Sequence, residues 1–225
     1  AKHGFLVREG DALERLANVT HIAFDKTGTL TFGTPQVTAV VSLLPELSDD
    51  MLYEYAAVSE LNSEHPLGKA IVRCRRKESS SALPQPDDFR MLPGRGVSAL
   101  TEGREILAGN PELLAEHDVR IPESFFQRAG KYVDDGCTVT WLAVDGKAAG
   151  FIALSDTLRP DAEKTVAGIR DAGVSPVLLT GDHENAARFI AGQIGITDVH
   201  SGCLPEDKLQ WIDTCQENNS HVCMI

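Results

Sequence analysis

Apolar and polar positions change their rhythm twice along the chain. Val19 to Phe24 is a mostly apolar run that ends at Asp25, which predicts a short buried strand after the amphipathic stretch ALERLANV. Alternating β-branched residues over Gln36 to Leu44 predict a second strand leaving this region. LSDDMLYEYAAVSELN then offers Ser48 as an N-cap, acids in the first turn and helical apolar spacing. A further helix over Pro66 to Arg75 is opened by its proline. The polar, turn-rich KESSSALPQPDD predicts a mobile loop.

From Phe89 the pieces shorten to FRMLPGRGVSAL, REILAGN and CTVTWLAVDGKAAGFIAL, with a hairpin turn at Val144 to Gly146. Such texture predicts an antiparallel sheet with helices. After Ser155, LRPDAEKTVAGIRDAG, VSPVLLTGD, HENAARFIAGQIG, PEDKLQWIDTCQE and HVCMI alternate helix and strand, as a parallel sheet with helical cover requires. Because the two ends share one texture and the middle has another, the expected architecture is α/β. A doubly wound domain is formed by residues 1–35 and 154–225, and an α+β domain, 36–153, is inserted into it.

Composition narrows the partners. The formal charge of -12 argues against a nucleic-acid backbone. No stretch approaches the length of a membrane span, so the chain is expected to be soluble. The opening AKHGFLVREGD lacks a secretory apolar stretch and reads as an interior piece of a longer protein. Five cysteines without a CxxC pair favour a cytosolic setting over a disulfide scaffold.

The chemistry concentrates at strand ends. Asp25 and Asp182 each follow a strand-like run, with Thr180 two residues before the latter. In open α/β sheets ligands sit beyond the carboxyl ends of the strands, so these groups converge if the two strands are neighbours. Asp25 could then attack phosphorus while the following Gly and Thr residues turn the chain and offer N–H groups to phosphoryl oxygens. Lys208, in PEDK at a helix start, is a better neutralising cation than Lys26, whose position next to Asp25 points its side chain elsewhere. The competing reading of Lys208 is an exposed first-turn lysine.

DKTGTLT at 25–31, with TGD at 180–182 and PEDK at 205–208, resembles the cytoplasmic core of P-type cation pumps, members of the haloacid-dehalogenase-like phosphotransferase superfamily. SEHP at 63–66, GRG at 94–96 and GN at 109–110 are similar to the nucleotide-binding domain of the heavy-metal-transporting subgroup. The resemblance covers essentially the whole chain. It implies a Rossmannoid phosphorylation domain, truncated at its C-terminus, carrying an inserted nucleotide-binding domain.

Asp25 would be phosphorylated by ATP, with Thr27 touching the phosphoryl group, Thr180, Gly181 and Asp182 forming a second motif, and Lys208 neutralising phosphate. Glu60, His65, Gly94, Gly96, Gly109 and Asn110 would surround the nucleotide, and Asp156 in SDTLRP would lie on the hinge side. Mg2+ would be held by the Asp25 carboxylate, the Thr27 carbonyl and an aspartate beyond Ile225, so weak magnesium binding and impaired autophosphorylation are expected of the segment alone. Its partners would be ATP and the transmembrane and actuator domains of a multi-pass membrane parent that exports copper or zinc/cadmium, this segment being cytoplasmic.

Related phosphatases place a second Asp two residues after the nucleophile for acid-base hydrolysis. Thr27 stands there instead and cannot transfer that proton at neutral pH, which favours a persistent acyl-phosphate. A phosphatase of the same superfamily and a nucleotide-binding module without catalysis remain the alternatives.

Overall fold

A computed structural model describes residues 10–79 and 82–225; Ser80 and Ser81, inside the expected mobile loop, and most of the opening AKHGFLVREGD lie outside the described residues. Helix α1 (Ala12–Ala17) precedes strand β1 (His21–Asp25), and a tight turn over 26–30 leads into β2 (Thr31–Ser42). There follow α2 (Asp49–Ser59), α3 (Pro66–Glu78), β3 (Asp88–Leu92), β4 (Gly96–Thr101) and β5 (Arg104–Gly109). Next come α4 (Pro111–Glu116), α5 (Glu123–Asp134), β6 (Thr138–Val144) and β7 (Lys147–Leu158). The chain closes with α6 (Ala162–Asp171), β8 (Ser175–Leu179), α7 (Glu184–Ile194), β9 (Asp198–His200), α8 (Pro205–Glu217) and β10 (Val222–Met224).

Two compact units result, one from the described residues of Ala1–Phe32 with Leu158–Ile225, the other from those of Gly33–Thr157. In the first unit the strand order is β10-β1-β8-β9, and every neighbouring pair is parallel. A parallel sheet has helices on both faces, so its strands carry apolar residues in both directions. Phe24 and Leu178 accordingly join Val166 and Ala191 on one side, while Ala23, Val177 and Leu179 lie on the other with Trp211 against them.

The second unit is a six-stranded sheet of order β2-β7-β6-β5-β4-β3, with the β3-to-β7 neighbours antiparallel. Alternation along each strand splits its core. Ile106 and Leu142 pack with Leu52 and Ile71 on the α2 and α3 face, whereas Leu107, Trp141 and Phe151 pack with Leu113 and Ala129 on the α4 and α5 face. Ser48 caps α2 through its hydroxyl, which accepts from Met51 N–H at 3.2 Å. Asp145 and Gly146 both have positive φ, 48° and 73°, the requirement of a two-residue hairpin turn with matching twist.

Two details differ from the sequence pattern. β2 begins at Thr31, five residues before Gln36, because Pro35 is accommodated within the strand. β9 is only three residues long, too short for periodicity to register.

Candidate functional site

In the first unit, β1 and β8 are adjacent and in register from His21 with Ser175 to Asp25 with Leu179. Asp25 and the 180–182 segment therefore leave the sheet at one carboxyl edge, the condition under which their groups converge. Lys208 Nζ lies 2.8 Å from Asp25 Oδ2, with the lysine side chain 15% exposed and the aspartate 40%. The lysine is positioned by the opening of α8, where Pro205 stands in the first turn and Asp207 Oδ2 accepts from Leu204 N–H at 2.8 Å. The exposed first-turn reading of Lys208 does not describe this geometry.

Lys26 is the residue that strand logic misplaces. Its ammonium lies 2.5 Å from Asp182 Oδ2 and its side chain is 13% exposed. Alternation would point it away from Asp25, but the strand ends at Asp25 and the chain turns. Thr27 keeps an extended backbone (φ -76°, ψ 121°) and Gly28 takes φ 83°, a conformation costly to any residue with a Cβ. Thr31 Oγ1 closes the turn by accepting from Gly28 N–H at 3.2 Å and donating to Lys26 carbonyl oxygen at 3.1 Å.

Thr180 is buried, and its hydroxyl accepts from Asp182 N–H at 3.2 Å. Gly202 N–H and Cys203 N–H donate to the carbonyls of Asp182 and Thr180 at 2.7 and 2.9 Å. Gly181 is exposed between them. Two ion pairs, Lys208 with Asp25 and Lys26 with Asp182, thus stand at one sheet edge, where main-chain bonds pin the 180–182 loop. The arrangement suits a nucleophilic carboxylate that must be approached by an anionic phosphoryl group.

The second unit holds a separate cleft of about 270 Å3. Glu60, His65, Gly94, Gly96, Gly109 and Asn110 all line it, together with the apolar Leu67, Val97 and Val139 and the cation Arg95, which sequence reasoning did not single out. Arg95 is held by Glu116 at 2.8 Å, a pairing across β4, β5 and α4 that no local pattern signals.

The individual roles inside this cleft are partly structural. His65 caps α3, with Nδ1 accepting from Leu67 N–H at 3.3 Å, so the ring proton resides on Nε2 as a donor. Asn110 caps α4 by accepting from Leu113 N–H at 2.9 Å and donates from Nδ2 to Gly94 carbonyl oxygen at 3.1 Å, tying the 92–96 turn to that helix. Gly96 and Gly109 face each other across β4 and β5. A Cβ on Gly96 would stand 2.1 Å from Ala108 carbonyl oxygen, and one on Gly109 would stand 2.2 Å from Arg95 carbonyl oxygen. Their smallness serves the approach of two protein strands, which is a different reason from close passage of a ligand.

Glu60 is 6% exposed and lines the cleft, and its Oε2 has no hydrogen-bond partner among the described residues. A Cβ at Gly68 would lie 2.1 Å from that oxygen, so glycine makes room for the carboxyl. Burial pushes its pKa up to about 7, against a smaller lowering by the Ser63 hydrogen bond. Between about pH 4.5 and 7 the unfolded chain has released this proton and the folded chain retains it. Stability therefore falls as pH rises through that window and levels off above it. The shift corresponds to roughly 3 kcal/mol. Urea unfolding at half-unit pH steps is expected to show a decline that Glu60→Gln flattens; an unchanged slope in the variant would assign the decline to other groups.

Residues 19–225 match the family described as haloacid dehalogenase-like hydrolase. The chain is 36% identical over 226 residues to the zinc-exporting P-type ATPase of Mycobacterium marinum, covering 100% of this chain and 31% of that protein. It is 35% identical to the manganese-exporting P-type ATPase of Mycobacterium tuberculosis, with 100% and 31% covered, and 36% identical to the copper-exporting P-type ATPase of Staphylococcus aureus, with 100% and 27% covered. The chain spans about a third of the length of the curated relatives it matches.

Among solved structures, a zinc-transporting PIB-type ATPase in an E2.Pi state superposes with a TM-score of 0.84 at 35% identity, covering 99% of this chain and 35% of that one. The catalytic domain of a CPx-ATPase shares the fold, with a TM-score of 0.78 at 24% identity over 99% of this chain and 78% of that one. No helix among the described residues is long and apolar enough to cross a membrane. With the family match extending through both units and the carboxylate pair standing at the edge of its parallel sheet, the chain belongs to the haloacid dehalogenase-like hydrolase family.

Proposed function

We propose that this chain is the ATP-binding and phosphorylation core of a heavy-metal P-type ATPase, with Asp25 the residue that accepts the phosphoryl group. The observation that carries the reading is the inserted unit, whose cleft is lined by Glu60, His65, Gly94, Gly96, Gly109 and Asn110. A phosphatase needs the Asp25 edge but has no use for that cleft. The first unit is then the phosphorylation domain and the second the nucleotide-binding domain.

An Asp25 carboxylate oxygen forms the bond to the γ-phosphorus as the bond from that phosphorus to the bridging oxygen breaks, leaving an aspartyl-phosphate and ADP. Lys208 offsets the repulsion between carboxylate and phosphoryl oxygens, while Lys26, held by Asp182, adds a second cation at the same edge. Thr27 supplies no acid for rapid hydrolysis, so the intermediate persists to drive transport.

Mg2+ fits the donors present. The Asp25 carboxylate and the Thr27 carbonyl are hard oxygens at one turn, and Mg2+ commonly takes one or two carboxylates with waters and phosphate completing its shell. When bound it would offset phosphate charge. In the cleft, His65 Nε2–H and the apolar Leu67, Val97 and Val139 suit a purine's polar edge and flat face.

The transported ion is a heavy-metal cation. The similar proteins carry zinc, manganese and copper in their names at nearly equal identity, so likeness in this region does not choose among them. The transmembrane and actuator domains of a multi-pass parent would be the partners, with this segment on the cytoplasmic side.

Calorimetric titration with ATP tests the nucleotide site. Saturable binding is expected, with amide shifts near residues 60–110, and His65→Gln is expected to weaken it by about tenfold through loss of one polar contact. A folded protein that does not bind ATP would return the phosphatase reading to the front.

A further inference from the structure

The segment SDTLRP contributes a second residue besides Asp156. Arg159 sits just before α6, and three groups of the turn following Asp25 meet it. Its Nε donates to Thr29 carbonyl oxygen at 2.9 Å, its terminal nitrogen donates to Gly28 carbonyl oxygen at 3.2 Å, and its main-chain N–H donates to Leu30 carbonyl oxygen at 2.8 Å. The guanidinium carbon stands 5.1 Å from the Phe32 ring centre, which closes the other side of the fork. One arginine therefore holds three consecutive carbonyls of the loop that begins at the candidate nucleophile.

We infer that Arg159 is a positioning residue for phosphoryl transfer at Asp25, acting through the 26–30 turn and touching neither phosphate nor nucleotide; this rests on the proposed phosphorylation of Asp25. In a trans peptide the carbonyl of one residue and the N–H of the next point in opposite directions. Anchoring the carbonyls of Gly28 and Thr29 thus orients the N–H groups of Thr29 and Leu30. The rest of the turn is closed at its far end by Thr31, whose hydroxyl meets Gly28 N–H and the Lys26 carbonyl and whose main-chain N–H donates to that same carbonyl, while Leu30 is buried in the core. Arg159 is the side chain that reaches the carbonyls of Gly28 and Thr29 between them. A guanidinium fits this task where an ammonium does not, since its planar fork can reach two carbonyls at once.

The test is the rate of 32P incorporation from γ-labelled ATP into the full-length parent protein, followed over a range of ATP concentrations, for Arg159→Ala and Arg159→Lys. Misplacement of a loop by a fraction of an ångström to an ångström costs on the order of 10- to 100-fold. Both variants are expected to label at least tenfold more slowly at saturating ATP, with the half-saturating ATP concentration unchanged within twofold. A purely structural role would move both quantities, or would leave the well-folded lysine variant at full speed; either result overturns the inference, as does full-speed labelling of the alanine variant. Labelling of the unsubstituted protein is the control for the reading beneath it. If that protein takes no label, the phosphorylation reading itself fails, and the positioning role with it.

Discussion

Asp25→Asn is expected to remove phosphoenzyme formation from γ-labelled ATP altogether, a loss of more than about 10^3-fold. The amide has no anionic oxygen to attack phosphorus, yet it nearly matches the carboxylate in size. Folding is little affected, because the Asp25 side chain is 40% exposed and its pairing with Lys208 is worth about 1 kcal/mol or less to stability. ATP binding at the cleft of the second unit is expected to be retained or tightened, because none of the cleft residues changes and the substitution removes a charge that repels the γ-phosphate. An acid-stable label retained by the asparagine variant would place the nucleophile elsewhere. Phosphate release without any label in the unsubstituted protein would instead favour a phosphatase.

Lys208→Ala is expected to be the next most damaging change, lowering the rate of phosphorylation by about 10^2- to 10^3-fold. An anionic nucleophile and an anionic phosphoryl group repel each other, and this ammonium is the cation already 2.8 Å from the attacking carboxylate. Lys208→Arg keeps the charge but replaces a compact ammonium by a planar fork, so only part of the rate should return. Single-turnover labelling at saturating ATP separates this effect from nucleotide binding. A lysine variant series with unchanged rates would show that Lys26, across the same edge, provides the neutralisation.

The cleft of the second unit behaves differently from the Asp25 edge. His65 and Asn110 serve the fold first, as caps of α3 and α4, and Gly96 and Gly109 admit neighbouring protein atoms. Substitutions there should change stability and affinity together. At the Asp25 edge the carboxylate is half-exposed and the loops are held by main-chain bonds, so chemistry and stability separate more cleanly.

Local physics makes much of this fold legible in the chain itself. An apolar run ending at Asp25, the Ser48 cap, the proline at the head of α3 and the Asp145-Gly146 turn all depend on residues within a few positions of one another. The same holds for the change of texture, because strand and helix patterns alternate after Ser155 whereas short strands follow one another through the middle of the chain. Chain crossings between the units fall inside β2 and β7 with no linker composition, so only the change of texture on either side marks them.

Tertiary structure alone decided which charges meet. Asp25 and Lys208 are 183 residues apart, and only the β1 and β8 pairing with the placement of α8 brings such groups to one edge. Lys26 shows the limit of the two-residue strand period, which ceases to apply once the strand ends and the chain turns toward Asp182. Arg159 likewise binds the 26–30 turn across 130 and 131 positions. Periodicity records the face on which a residue lies, whereas its partners are set by the packing of elements distant in the chain.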